Sequence, residues 1–232
     1  MTSQTPEKEF KNNFKAWNEE QQQLRQLLGD PGRHDETIDL FLRHHAVLHA
    51  ARVAQTEFWS FEDAVLSDLS EEQIRRIPTN GEHSVAWLFW HMARIEDVAM
   101  NTLVAGSPQI LSQEDWRERL GAPIHHTGND MDQEDIERLS AAVDIGALRD
   151  YRVAVGRRTR EIVLQLQPED LKRKVDPLRL QQVMDQGDLV EAASGIADYW
   201  GRRTIAGLLL MPATRHNMVH LNELFRLKKR LG

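Results

Sequence analysis

The sequence contains no cysteine, and this absence excludes several kinds of chemistry. The chain can form no disulfide framework, offers no thiolate ligand to a metal and has no cysteine nucleophile. A metal site must therefore draw on histidine, aspartate or glutamate, and a thiol used in a reaction must come from a substrate. The 10 histidines of the chain are the first residues to consider.

Long apolar runs and concentrated positive charge are also absent. No segment approaches the roughly 20 apolar residues needed to cross a bilayer, and the N-terminus carries no apolar signal region. The net charge is −7, whereas binding to nucleic acid requires a concentrated basic face. We therefore expect a cytoplasmic protein that acts neither on nucleic acid nor at a membrane.

Apolar residues recur at three- and four-residue spacing along most of the chain, which indicates helices, and no segment alternates with a period of two. The fold class predicted from this pattern is all-α. A long irregular connection separates the middle helices over residues 106–131. The spacing predicts helices over residues 7–28, 35–66, 84–104, 145–167, 191–210 and 213–230, with Pro212 breaking the path between the last two.

The first predicted helix carries an apolar seam with heptad-like spacing, interrupted by Gln21, that consists of Phe10, Phe14, Trp17, Leu24 and Leu28. Such a seam can pack against the rest of the same chain or against a second copy. We predict that residues 1–34 form an amphipathic N-terminal extension and that residues 35–232 form the main helical bundle. A homodimer through the seam remains open.

Two histidine pairs have the spacing of a metal-binding helix face. His216 and His220 are four residues apart, so their imidazoles lie on one side of a helix and can bind one ion. The signal is weak by itself, because His45 and His49 repeat it. Asn217 replaces the glutamate of the metalloprotease helix motif. No histidine has a glutamate three positions before it, as ferritin-like di-iron sites require.

A third histidine, His91, lies on the apolar face of the predicted helix 84–104. An imidazole buried there without a partner would cost free energy. A metal ion would satisfy it, and so would a hydrogen bond to a backbone carbonyl or a carboxylate.

Two segments of the chain resemble the DinB/YfiT-like superfamily. The stretch SVAWLFWHMARIED, residues 84–97, resembles the second helix of that family, and MPATRHNMVHLNE, residues 211–223, is similar to its closing helix. The resemblance covers roughly residues 36–227. It implies a four-helix bundle, here with an extra N-terminal helix and a long crossover connection. It also implies one divalent metal ion held by His91, His216 and His220.

Three neutral imidazoles suit Zn²⁺ or Ni²⁺ and leave a coordination position open for water or a substrate atom. The resemblance implies a metal-dependent enzyme acting on a small molecule, with a low-molecular-weight-thiol S-transferase as the leading hypothesis. A metal-dependent hydrolase is the first alternative. A non-catalytic, stress-linked metal-binding protein is the second, and would be expected to bury the ion and give it a fourth protein ligand.

Other residues are weaker candidates. His45 and His49 could line the mouth of the pocket or relay protons, although a histidine pair on the core face of a helix is the simpler interpretation. Trp87 could form a wall of the pocket, although an aromatic residue at helical spacing is usually part of the core. Glu223 could orient the imidazole of a ligand, or could simply be exposed to solvent.

Overall fold

The computed structural model describes residues 6–54, 59–78 and 83–231. Over these ranges the structure is helical without any β-strand, apart from one backbone bridge between Lys174 and Thr204. The predicted all-α class is therefore confirmed. None of the described helices is both long enough and apolar enough to cross a membrane.

The helices are α1 (Pro6–Leu27), α2 (His34–Ala46), α3 (Phe61–Leu66), α4 (Glu71–Arg75), α5 (Val85–Asp97), α6 (Trp116–Leu120), α7 (Gln133–Ala142), α8 (Ile145–Gln165), α9 (Pro177–Asp185), α10 (Ser194–Gly201), α11 (Ile205–Leu210) and α12 (His216–Leu231). Two π-helical turns extend them, since Val98–Ala105 continues α5 and Met211–Arg215 joins α11 to α12. A long crossover over residues 106–132, which contains α6, then leads to α7.

Helix α5 lies at the centre of the bundle and packs against α8 and α12. The hydroxyl of Ser84 caps its first turn by accepting a hydrogen bond from the amide of Trp87, and every residue of the helix is buried. A helix buried on all sides carries its polar side chains into the core, where each needs a partner. This burial brings His91 and Glu96 to the two sites described below.

Helix α1 is packed into the bundle against α2, α3 and α11. The ring of Phe10 stacks on Phe225 with centroids 3.8 Å apart. The side chain of Gln21, which interrupts the apolar seam, is buried and donates a hydrogen bond of 3.0 Å to the carbonyl of Leu210. The seam is thus covered by its own chain. The division of the chain at residue 34 and the association of two copies remain predictions.

The prediction of one continuous helix over residues 35–66 is wrong. Helix α2 ends at Ala46, and the amide of Phe61 donates to the carbonyl of Val47 over 2.8 Å, which folds α3 back toward the end of α2. Ser60 caps α3 by accepting from the amide of Asp63. Apolar spacing continues across this reversal because both arms face the same core, so the pattern alone could not mark it.

The path near Pro212 also differs from the prediction. The helix predicted over residues 191–210 is split into α10 and α11, whereas the chain passes through Pro212 in a π-helical turn that leads directly into α12. Proline lacks an amide hydrogen and clashes with a regular turn, and the wider turn accommodates it. The side-chain amide of Asn217 donates to the Pro212 carbonyl over 3.3 Å. This turn positions His216 at the start of α12.

Candidate metal centre

Three histidines from two helices converge at one side of the bundle. His91 comes from α5, while His216 and His220 come from the first turns of α12, and one ring nitrogen of each lies within 4.8 Å of the others. The Nε2 atoms of His91 and His216 are 3.1 Å apart. A tetrahedral ion with metal–nitrogen bonds of about 2.0–2.1 Å would separate its ligand nitrogens by about 3.3 Å. The spacing therefore suits a shared divalent cation.

The orientation of His91 is fixed by the crossover connection. Its Nδ1 donates to the carbonyl of Thr127 over 2.7 Å, which leaves the lone pair of Nε2 directed at the other two histidines. Helix α5 also holds the two residues that precede Thr127. The side chain of Trp90 donates to the carbonyl of His126, and the side chain of Arg94 donates to the carbonyl of His125. Backbone acceptors on Nδ1 are the usual device that orients a metal-ligating imidazole.

The orientation of His220 is fixed within its own helix. Its Nδ1 lies 2.9 Å from Oε2 of Glu223, one turn further along α12, so Nε2 is again the nitrogen free for a ligand role. Glu223, a candidate from the sequence, thus contacts the imidazole of His220. Nδ1 of His216 is buried and has no hydrogen-bond partner among the described residues, so this ring is held by its packing and by the contact of its Nε2 with Nε2 of His91.

Burial keeps the imidazoles of His91 and His216 neutral. The pKa of His91 is lowered to about 3, chiefly by burial and further by the neighbouring His220. The pKa of His216 is also lowered well below its ordinary value of 6.5, first by burial and then by His91. Metal binding requires the unprotonated ring. These two imidazoles are therefore in their ligating state at neutral pH.

One side of the cluster is open. His91 is buried, whereas His216 and His220 are partly exposed. A groove of about 390 Å³ runs along the adjacent face of α12 and is lined by Phe14, Arg215, Met218, Val219, Asn222, Glu223, Arg226 and Arg230. None of the three histidines lines this groove, but Glu223, which contacts His220, does, and three arginines give the groove a positive charge.

Trp87 is placed beside the cluster, as a wall rather than as an exposed pocket residue. Its ring stacks on His91 with centroids 4.7 Å apart, and the ring of His83 also stacks on it at 3.6 Å. Its indole nitrogen contacts the sulfur of Met131. Sequence reasoning missed His83, because it precedes the first turn of α5 and follows no ligand spacing. Gly128, with φ of 85°, allows the crossover to pass close to the indole.

His45 and His49 do not line a pocket mouth. Both side chains are fully buried, and both contact the fully buried carboxylate of Glu96. Glu96 was not singled out in the sequence, where it reads as one acidic residue within an apolar helix. The three residues form a second group whose geometry can hold a metal ion.

A family model described as the DinB superfamily matches residues 58–224, which is most of the chain. The chain belongs to the DinB superfamily. All three histidines of the open cluster lie inside the segment that matches the DinB superfamily, whereas α1 and α2, with His45 and His49, precede it. A comparison with curated proteins finds no match.

Proposed function

We propose that this member of the DinB superfamily is a metal-dependent enzyme that transfers a low-molecular-weight thiol to an electrophilic small molecule. One Zn²⁺ or Ni²⁺ ion would be held by His91, His216 and His220. The observation that carries the proposal is the incomplete and partly exposed ligand set. Among the described residues, no fourth ligating side chain joins the three histidines. An ion with three protein ligands and access from outside is typical of catalysis.

The residues around the cluster have clear tasks in such a reaction. A bound divalent ion would lower the pKa of a coordinated thiol or water and so supply a nucleophile near neutral pH. The Thr127 carbonyl and Glu223 hold two imidazoles in the ligating orientation. Trp87 covers the buried side of His91 and keeps water from that face. The absence of cysteine means that the thiol has to be a substrate.

The groove along α12 supports a substrate with negative charge. Arg215, Arg226 and Arg230 line it, and the only acidic residue of its lining, Glu223, is engaged with His220. Guanidinium groups bind carboxylates and phosphates through paired hydrogen bonds. We therefore expect at least one of the two reactants to carry an anionic group that lies in this groove.

Metal-dependent hydrolysis is a second candidate, and His83 is the observation that favours it. Hydrolysis needs a general base close to the water that attacks. The pKa of His83 is lowered, chiefly by partial burial, so the ring is unprotonated near pH 7, as a general base has to be. The rings of His83 and His91 both stack on Trp87, and the charges of Glu223 and His220 affect the pKa of His83. We therefore propose His83 as the base in this second candidate reaction.

The experiment offers the metal-loaded protein a panel of cellular low-molecular-weight thiols together with a generic electrophile, with the uncatalysed rate subtracted. Ester and amide substrates without thiol are tested in parallel. We expect thiol-dependent conjugation that disappears in the His91→Ala variant. The matched control is His34→Ala, which removes a partly buried histidine outside both clusters and should leave the rate unchanged.

The outcomes separate the candidate functions. Turnover only in the thiol-free arm, with loss in His83→Ala, would select hydrolysis. Acceleration in neither arm, by protein shown to contain its metal, would contradict catalysis on these substrate classes and favour the non-catalytic, stress-linked metal-binding role.

A further inference from the structure

The second group, formed by His45, His49 and Glu96, lies inside the core and takes no part in the proposed reaction. Nε2 of His45 is 2.8 Å from Oε1 of Glu96, and Nε2 of His49 is 3.1 Å from Oε2. All three side chains are fully buried. The histidines come from the end of α2 and the turn that follows it, and the glutamate comes from α5.

The imidazoles of this group are poorly satisfied by protein atoms. Nδ1 of His45, Nδ1 of His49 and Nε2 of His49 have no hydrogen-bond partner among the described residues. Nε2 of His49 lies close to the carboxylate but is not aligned for a hydrogen bond with it. On the other side of this ring, a methyl group at Gly156 would come within 2.9 Å of Nδ1. A buried polar atom without a hydrogen-bond partner costs free energy. Nε2 of His49, which lies beside the carboxylate of Glu96 without a hydrogen bond to it, therefore requires an explanation.

The carboxylate, in contrast, is held firmly from behind. The hydroxyl of Thr159 donates to Oε1 over 2.7 Å, and the side-chain amide of Asn217 donates to Oε2 over 2.9 Å. Arg152 donates to the amide oxygen of Asn217 over 3.0 Å and thereby fixes which end of this amide faces Glu96. Supporting hydrogen bonds of this kind are typical of carboxylates that bind a metal. Each oxygen retains lone-pair capacity toward a histidine.

We propose that His45, His49 and Glu96 bind a second divalent metal ion, a structural one, between α2 and α5. Two imidazoles and one carboxylate form a donor set that suits Zn²⁺ and also Fe²⁺ or Mn²⁺. An ion at this position satisfies the unaligned Nε2 of His49 and neutralises the buried carboxylate. The alternative is a metal-free cluster in which a protonated imidazole pairs with Glu96. That arrangement leaves the nitrogen of His49 without a partner.

Burial determines how this ion would behave. With no exposed ligand, the ion has to enter before the core closes and can leave only when the core opens. The open cluster, by comparison, can exchange its ion with solvent through His216 and His220. The two sites are linked through Asn217, which contacts Glu96 and directly follows His216 in the chain.

The test is the metal content of the full-length protein, produced in zinc-supplemented medium and measured before and after a brief treatment with chelator. We expect about two zinc ions per chain, of which the chelator removes one quickly and the other only on unfolding. Glu96→Gln, which keeps the shape of the side chain, should retain only the ion that the chelator removes quickly. His91→Ala should retain only the ion that resists the chelator. The matched control, Glu36→Gln, makes the same change at an exposed glutamate outside both groups and should keep both ions.

Crystals of the unaltered protein provide a reading that does not depend on any variant folding. An anomalous-scattering map at the zinc edge should show a peak between the Nε2 atoms of His45 and His49 and the carboxylate of Glu96. A map with a peak only at His91, or a folded His91→Ala protein that contains no zinc, would overturn the proposal. Because the two sites are counted separately, loss of the reaction at the open cluster would leave this conclusion unaffected.

Discussion

The two histidine clusters share one design but lie in different surroundings. In each, two histidines four residues apart are joined by one residue of α5. The open cluster consists of His91, His216 and His220, and the closed cluster consists of His45, His49 and Glu96. In the open cluster, Thr127 and Glu223 orient two imidazoles through Nδ1. In the closed cluster, neither Nδ1 has a hydrogen-bond partner within the part of the chain that the structure describes, and the carboxylate is the group that is oriented.

We infer from this difference that burial, and not ligand spacing, separates the proposed reactive site from the proposed structural one. An ion in the open cluster would be accessible from solvent through His216 and His220, whereas an ion in the closed cluster would only hold two helices together. The same four-residue spacing occurs in both. Each of the following experiments would break or sharpen this comparison.

The largest effect is expected from removing residues 1–34, because α1 supports both clusters. Its side chain Gln21 contacts His44 next to the closed cluster and Leu210 ahead of the open one. Burial of a large apolar side chain contributes roughly 1.5–3 kcal/mol, and a domain is stable by only about 5–15 kcal/mol. Helix α1 buries four such side chains, Phe10, Trp17, Leu24 and Leu27.

We therefore expect the shortened chain to lose its cooperative thermal transition, followed by circular dichroism, and the metal bound at both clusters. The matched point variants are Gln21→Ala, which should lower the melting temperature, and Gln22→Ala at an exposed position of the same helix, which should not. A shortened chain that melts like the full one and keeps its metal would show that residues 35–232 fold alone.

A smaller effect is expected from acid on the metal-free protein. The pKa values of His91 in one cluster and His49 in the other are both lowered from 6.5 to about 3, chiefly by burial. Between these values the unfolded chain binds protons that the folded chain does not. The contribution of these two histidines to the free energy of unfolding is complete above pH 6.5 and declines as the pH falls toward 3. Each group contributes a slope of up to about 1.4 kcal/mol per pH unit.

Urea titrations of the metal-free protein across this pH range measure the slope. His49→Gln should remove the contribution of His49 in the closed cluster to the slope of the free energy of unfolding against pH. His91→Gln should remove the contribution of His91 in the open cluster. A free energy of unfolding that does not change between pH 6.5 and 4 would contradict the neutral, buried state of both imidazoles.

The smallest effect is expected from Glu223→Ala. Loss of a carboxylate that orients a ligand histidine typically weakens metal binding by about 10–100-fold. Only the open cluster should respond, and Glu223→Gln, which retains an acceptor oxygen, should recover part of the affinity. Competition with a zinc chelator measures the change. If the ion resistant to chelator were weakened as well, the two clusters would not be independent.

Several features could be predicted from the sequence. Apolar spacing was sufficient for the all-α class, because the helices around the central α5 turn one face toward the interior of the bundle. The resemblance of residues 84–97 and 211–223 to the DinB/YfiT-like superfamily indicated the three histidines that the structure brings together. The same spacing could not mark the chain reversal after Ala46 or the continuous path through Pro212, because both depend on which surfaces are available for packing.

The closed cluster marks the limit of the sequence pattern. His45 and His49 were visible as a pair, but Glu96 lies 47 residues after His49 and shares no motif with it. Its partners Thr159 and Asn217 come from α8 and α12.

The sequence by itself determined the residue types available for metal binding, the all-α class and the spacing of each histidine pair, because these are local properties of the chain. Only the tertiary structure decided which carboxylate meets which imidazole, which cluster is exposed and which is enclosed. Those outcomes depend on how α1, α2, α5, α8 and α12 pack around one core. Contacts between residues far apart in the chain are set by that packing and not by any local pattern.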